Sequence, residues 1–355
     1  MTSTLSMEGC SSYEQPAWAF RPISAANRSG NGSNESPGIR TTPVIHIQQV
    51  YFGSEDGSIY ALHIQNGTVV WQFQTGGPVR CSPLVCDNNV NFGSDDGKFY
   101  AVEARSGRAT WIFDAGSPIR TTPIYNSLLE YIYFAANNGT LYALKTWDGD
   151  KMWDVTADGA IESSPVMNNQ QIYFGSDDGM LYAVSAVDGV RIWRFNAFSP
   201  IRSRPAVNFD IVFTACDAGI VYGLDEVTGS KIWEFVASGP IRYALGYHRG
   251  FVYFGNDAGN FYAVKDKTGH EIFSYQAGGR IRASTPPAIN SGNVMFGSDN
   301  GKVVAISDLN GSLAWEISSG FPVLASPLWY ANVIYFGSDR MYAVKADGTQ
   351  DAIAL

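Results

Sequence analysis

Charge is scarce in this sequence. Only 16% of its 355 residues are Asp, Glu, Lys or Arg, while hydrophobic residues reach 45%. An ordinary soluble domain carries about 25% charged residues, and a disordered chain needs more charge and less hydrophobicity still. Positive charge is the scarcer sign: 24 Lys and Arg stand against 33 Asp and Glu, a formal net charge of −9. That balance excludes a polybasic nucleic-acid binder. Apolar runs stop after a handful of residues, far short of the roughly 20 that a membrane-spanning helix needs. Cysteine is rare: Cys10, Cys81, Cys86 and Cys216. Cys81 and Cys86 share one extended segment, where five residues span roughly 16 Å, against the ~7 Å a disulfide permits. No disulfide framework is expected. The four histidines, His46, His63, His248 and His270, show no metal-ligand spacing, so no metal site is expected. The first twenty residues lack the basic start and apolar core of a signal peptide, which leaves the compartment open. SMEGC, ending on Cys10, is a faint lipoprotein-like signal without the apolar stretch that should precede it.

Glycine and aromatics are abundant, and their placement is periodic. GIRTTP (38–43), PVRCSP (78–83), PIRTTP (118–123), AIESSP (160–165) and PIRSRP (200–205) recur at spacings of 40, 40, 42 and 40 residues. PIRYAL (240–245), IRASTPP (281–287) and PVLASP (322–327) extend the series to eight. Each is followed by a run such as VYFGSEDG (50–57) or IYFGSDDG (172–179), then YAL or YAV, then Gly-x-x-x-Trp. Alternating β-branched and aromatic residues bounded by Asp-Gly or Asn-Gly mark short strands joined by tight turns. Four strands in about 40 residues form one propeller blade. The expectation is an all-β, eight-bladed β-propeller of four-stranded antiparallel blades filling residues 13–350. Residues 1–12 and 351–355 read as tails, and residues 21–38 as an inserted loop. The eighth unit ends after YAVK (342–345) without its own Trp strand, whereas Trp18-Ala19-Phe20 precedes the first unit. The N-terminal strand should therefore complete the last blade and close the ring.

The spacing Ala, Gly six residues on and Trp four later recurs as Ala61/Gly67/Trp71, Ala101/Gly107/Trp111, Ala143/Gly149/Trp153, Ala183/Gly189/Trp193 and Ala305/Gly311/Trp315. Gly223/Gly229/Trp233 and Ala263/Gly269/Phe273 depart at one place each. This resembles the tryptophan-docking repeat of the pyrroloquinoline-quinone (PQQ) propellers. The resemblance implies two kinds of function. Quinoprotein dehydrogenases bind PQQ and calcium and oxidise alcohols or sugars. Non-catalytic members are scaffolds, such as the lipoprotein of the outer-membrane β-barrel assembly machinery, or sensor and accessory domains. This sequence lacks a vicinal Cys-Cys pair and a Cys-x-x-Cys-His haem site. It is therefore read with the non-catalytic branch, with no cofactor and with PQQ as the alternative. The expected partner is a protein, a peptide or a small anion, and the chain is expected to be monomeric by itself.

One feature is unusual. An arginine opens the first strand of six units, at Arg40, Arg80, Arg120, Arg202, Arg242 and Arg282, with Glu162 and Leu324 in the other two. In a propeller that strand is the innermost, so these side chains converge on the central funnel. Like charges crowded together repel, and something must offset them. One reading is a ring of local pairs with the turn aspartates Asp56, Asp96, Asp178, Asp217, Asp257 and Asp299. The other is a funnel for an anionic ligand or acidic peptide, with Arg40, Arg80, Arg120, Glu162, Arg202, Arg242 and Arg282 as binding residues.

Overall fold

A computed structural model describes residues 18–22, 38–282, 285–290 and 292–345. The two tails, Cys10 and most of the inserted segment 21–38 lie outside the described residues. Eight separate four-stranded sheets follow one another around a ring. In the first blade the strands run Val44–His46, Gln49–Gly53, Ser58–His63 and Val69–Gln74, from the innermost to the outermost. The last blade uses Leu328–Tyr330, Val333–Gly337 and Met341–Lys345, and takes Trp18–Phe20 as its outermost strand. Trp18 lies opposite Ala343 and Phe20 opposite Met341, so the N-terminal strand closes the ring. No helix of the described residues is long and apolar enough to cross a membrane.

Apolar burial is concentrated between blades. Gln49–Gly53 and Ser58–His63 are buried almost throughout, whereas the outermost strand Val69–Gln74 is mostly exposed. Each apolar cluster joins two neighbours: Tyr51, Ile59 and Trp71 of one blade pack with Val90, Phe92 and Tyr100 of the next. Middle strands covered on both faces need apolar residues at every position, which explains the continuous YFG and YAV runs.

The Ala, Gly and Trp of the repeat each have a distinct place. Ala61 lies directly opposite Trp71, Ala101 opposite Trp111 and Ala183 opposite Trp193. The indole then lies on the glycine of the following blade. A Cβ on Gly107 would sit 2.7 Å from Trp71 Cδ2, and the glycine itself is at φ 73°. Both the space and the left-handed backbone exclude other residues there. The indole N–H donates to a carbonyl in that same following blade: Trp71 to Ala104 at 2.8 Å, Trp111 to Thr146 at 2.8 Å and Trp193 to Glu226 at 2.9 Å. Tryptophan is thus the staple between blades, with its polar handle satisfied.

Cys81, Cys86 and Cys216 are free and buried. Burial pushes the Cys81 and Cys86 thiols up to about 12. Neither is a thiolate at mildly alkaline pH. Iodoacetamide is expected to leave both unmodified in the native protein and to alkylate both in denaturant, as read by peptide mass mapping. Native-state labelling of Cys81 would show that the first two blades open locally.

Candidate functional site

The start of each blade is held by a short clamp. The residue before the ring position is Ile or Val, and in six of the eight blades it seats over the glycine ending the second strand of the preceding blade, alanine taking that place in blades three and five. A Cβ on Gly93 would meet Ile119 Cγ2 at 2.2 Å, and one on Gly175 would meet Ile201 Cγ2 at 2.1 Å. The Ile119 N–H donates to the Ser94 carbonyl at 3.1 Å, and the Asp95 N–H to the Pro78 carbonyl at 2.9 Å. These contacts fix where each arginine leaves the backbone.

The arginines are paired, and the pairing forms a belt. Glu55 bridges Arg40 at 2.6 Å and Arg80 at 2.8 Å. Asp95 bridges Arg80 and Arg120, the latter with two contacts at 2.8 and 3.1 Å. Asp177 meets Arg202 at 2.8 Å, and Asp217 bridges Arg202 at 2.8 Å and Arg242 at 3.1 Å. Asp257 takes the other side of Arg242 at 2.9 Å, and Asp299 faces Arg282 at 3.3 Å. Each bridging carboxylate ties its own blade to the next through charge-assisted bonds. The carboxylates of Glu55, Asp177 and Asp217 hold Arg80, Arg202 and Arg242 above the usual guanidinium range.

The acids used in blades one, two and four are not the ones expected from the sequence. Glu55, Asp95 and Asp177 carry the pairs, each one residue before Asp56, Asp96 and Asp178. Those latter aspartates close the turn instead. They accept the Ser58, Lys98 and Met180 amides at 2.9, 3.0 and 2.8 Å. They also accept the Tyr60, Tyr100 and Tyr182 hydroxyls. In blades five to seven the turn holds a single acid, and there Asp217, Asp257 and Asp299 do occupy the pairing position.

The ring position departs from arginine twice, and among the described residues no ion pair joins Asp257 to Arg282 of the following blade. At blade four Glu162 replaces arginine, and Asn137 stands in the preceding blade where an acid would otherwise face it. An acid there would oppose Glu162, so the neutral amide avoids a like-charge contact. Glu162 itself reaches Arg202 at 3.5 Å. At blade eight Leu324 leaves Asp299 without a second arginine. Burial pushes the Asp299 carboxyl above its ordinary range, and its Oδ1 has no hydrogen-bond partner among the described residues.

Arg40, Arg80, Arg120, Glu162, Arg202 and Arg242 line a cavity of about 500 Å³ on the axis, together with Ser164, Arg204, Tyr243 and Ala244. Arg282 belongs to the belt through Asp299 but not to this cavity lining. In most of these pairs the arginine is the more accessible partner: Arg120 has 38% of its side chain exposed and Asp95 only 11%, although Arg282 and Asp299 are equally exposed. The belt therefore turns guanidinium edges to the funnel and holds carboxylates behind them. Among the described residues, no group of three or more His, Cys, Asp or Glu is placed to hold a metal ion.

Four cavity residues escape a reading of the sequence, Ser164, Arg204, Tyr243 and Ala244, of which Arg204 and Tyr243 bear functional side chains that depart from the repeat. Their signal is present, because PIRSRP and PIRYAL depart from PIRTTP at a Thr position. Phe198 escapes it as well. It sits in the connection leading to Arg202, 89% exposed and at φ 56°, where the corresponding connections carry Gly116, Gly278 and Gly320. A bulky residue held in the left-handed region is a conformational cost that packing does not explain.

The family model described as outer membrane protein assembly factor BamB matches residues 16–133, 129–210 and 191–349. No curated protein matches the sequence. Among solved structures, the computationally designed Ika8 protein aligns with a TM-score of 0.76 at 18% identity, over 88% of this chain and 97% of that one. BamB from Moraxella catarrhalis aligns at 0.72 and 16% identity, over 87% and 99%. The quinohemoprotein alcohol dehydrogenase ADHIIG from Pseudomonas putida HK5 aligns at 0.72 and 13%, over 94% and 76%. At these identities the three structures establish the shared fold alone.

Proposed function

The chain belongs to the PQQ-like propeller family whose matching model is the outer membrane protein assembly factor BamB, and from that premise we propose that it is a non-catalytic scaffold receiving an acidic protein or peptide at its funnel face. The observation that carries the reading is the belt itself. Arginines held in place by half-buried carboxylates are pre-organised cationic edges, which recognise carboxylates at little ordering cost. The exposed aromatic Phe198 on the same face adds an apolar anchor of the kind that protein interfaces use.

A quinone site suits these residues poorly. Calcium prefers six to eight oxygen ligands. Among the described residues that line the cavity only Glu162 is a carboxylate, and the belt acids already serve arginines. The cavity wall therefore does not fit PQQ together with its calcium.

The test uses a fluorescent hexaglutamate peptide blocked at both ends, with binding read by anisotropy. Arg120→Glu reverses one rim charge and is expected to weaken binding about tenfold, with less binding at higher salt. Circular dichroism should show the same fold. Unchanged affinity, or a variant that unfolds while Arg120→Gln folds and binds normally, would make the belt purely structural.

A further inference from the structure

Two residues after the ring position, blades one to four carry Thr42, Ser82, Thr122 and Ser164, and blade eight carries Ser326. These short hydroxyl residues knit a collar inside the belt. The Ser82 hydroxyl accepts the Thr42 amide at 2.9 Å, and the Ser164 hydroxyl accepts the Thr122 amide at 2.9 Å. The Ser326 hydroxyl donates to the Thr285 carbonyl at 2.7 Å. Blade five interrupts the collar with Arg204.

Arg204 differs from every ring arginine. No carboxylate of the described residues lies within ion-pair distance of its guanidinium. It keeps some accessible surface because it faces the channel, while protein surrounds it closely enough that burial lowers its pKa to about 10. It is therefore still a cation at neutral pH. Tyr243 lines the same cavity, and its hydroxyl makes no hydrogen bond among the described residues. Ser164 also lines it, with its oxygen already accepting an amide and its own O–H left to donate. A desolvated charge without a counter-ion is costly. Blades one to four, six and eight fill the position with Thr, Ser or Ala, so packing gives no reason for arginine.

We propose that the floor of the funnel is a carboxylate-binding site, with the Arg204 guanidinium as anchor and the Tyr243 and Ser164 hydroxyls as further donors. The proposal rests on the funnel being a binding surface, and it names the chemistry taken there. A carboxylate matches the guanidinium fork with both oxygens and retains lone pairs for two hydroxyls. Its single negative charge balances the charge of Arg204. A phosphate dianion would set a second negative charge near Glu162, Asp177 and Asp217, where the other lining arginines already have carboxylate partners.

The decisive variant is Arg204→Ser, which installs the residue that blades two and four already use. Three probes separate the sources: blocked hexaglutamate for a peptide side chain, succinate for a free acid, and inorganic phosphate for a different anion. Calorimetric titration is expected to show binding of hexaglutamate, succinate or both, weakened about 10- to 100-fold in Arg204→Ser, the range of a lost hydrogen-bonded charge contact. Arg204→Lys keeps the charge but not the fork, and should retain part of the affinity. Without ligand, Arg204→Ser should melt no lower than the parent. If phosphate binds more tightly than both carboxylates, or if Arg204→Ser and Arg204→Lys bind them as the parent does, the proposal fails. Loss of hexaglutamate binding in Arg120→Glu, with hexaglutamate and succinate both bound by Arg204→Ser as by the parent, would retain the scaffold reading and reject this site. The opposite pattern would retain this site and reject the rim.

Discussion

A chain lacking residues 1–20 is expected to lose cooperative folding. The strand Trp18–Phe20 is the outermost of the last blade, and nothing else among the described residues fills that place. Trp18 is only 9% exposed, and its indole donates to the Ile64 carbonyl of the first blade at 2.8 Å. Its ring lies on Gly67, where a Cβ would come within 2.6 Å. Phe20 packs against Tyr60, ring centres 5.1 Å apart, and against Phe52. Removing a buried aromatic such as Trp18 costs about 3–5 kcal/mol. With the half-buried Phe20 lost as well, the cost approaches the lower end of a typical domain's stability, ~5–15 kcal/mol. The truncation also leaves Met341–Lys345 as an open edge, a template for aggregation. Urea unfolding followed by circular dichroism is the measurement. Trp18→Ala alone should lower stability by about 3–5 kcal/mol. A truncated chain with the parent's urea midpoint would show that ring closure contributes nothing.

Trp193→Ala is expected to cost about 3–5 kcal/mol, and Trp193→Phe about 1–2 kcal/mol. Trp193 is buried opposite Ala183, with its ring on Gly229 and its N–H on the Glu226 carbonyl at 2.9 Å. Alanine empties the whole slot. Phenylalanine refills most of it and forfeits the hydrogen bond. The molecule already contains that compromise, because Phe273 lies on Gly311 in the same way, 2.5 Å from where a Cβ would be. Equilibrium unfolding of the two variants separates the packing and hydrogen-bond parts. Equal losses would mean that the indole N–H, not ring burial, dominates.

The architecture could be read from the sequence because each local rule repeats. Turn glycines, Trp spacing and the IR start of each blade all return at the same interval, and an error in one copy is corrected by the others. Strand order and the closing role of Trp18 followed from counting. The pairing of the belt was less accessible. Asp56 and Glu55 are adjacent and both acidic, and only the turn geometry decides which one points to the arginine and which caps the Ser58 amide. Blades five to seven gave the right residue because Asp217, Asp257 and Asp299 have no acidic neighbour to compete. Arg204 escaped notice for a different reason. A single arginine at one Thr position is indistinguishable from ordinary variation between repeats, and only the folded ring places it on the cavity wall.

The way the last blade is assembled also governs how the molecule answers to tension. Trp18 and Ala343 face each other in an antiparallel pair, so the outgoing ends of the first and last strands leave from the same corner of one sheet. Antiparallel bonds run across the strands. Pulling the two ends apart would load those bonds one at a time, like a zip opened from its tab, and not all together in shear. The weakest mechanical point of the ring is thus the seam that completes it, and a handle on each terminus should open that seam at low force before any other blade yields.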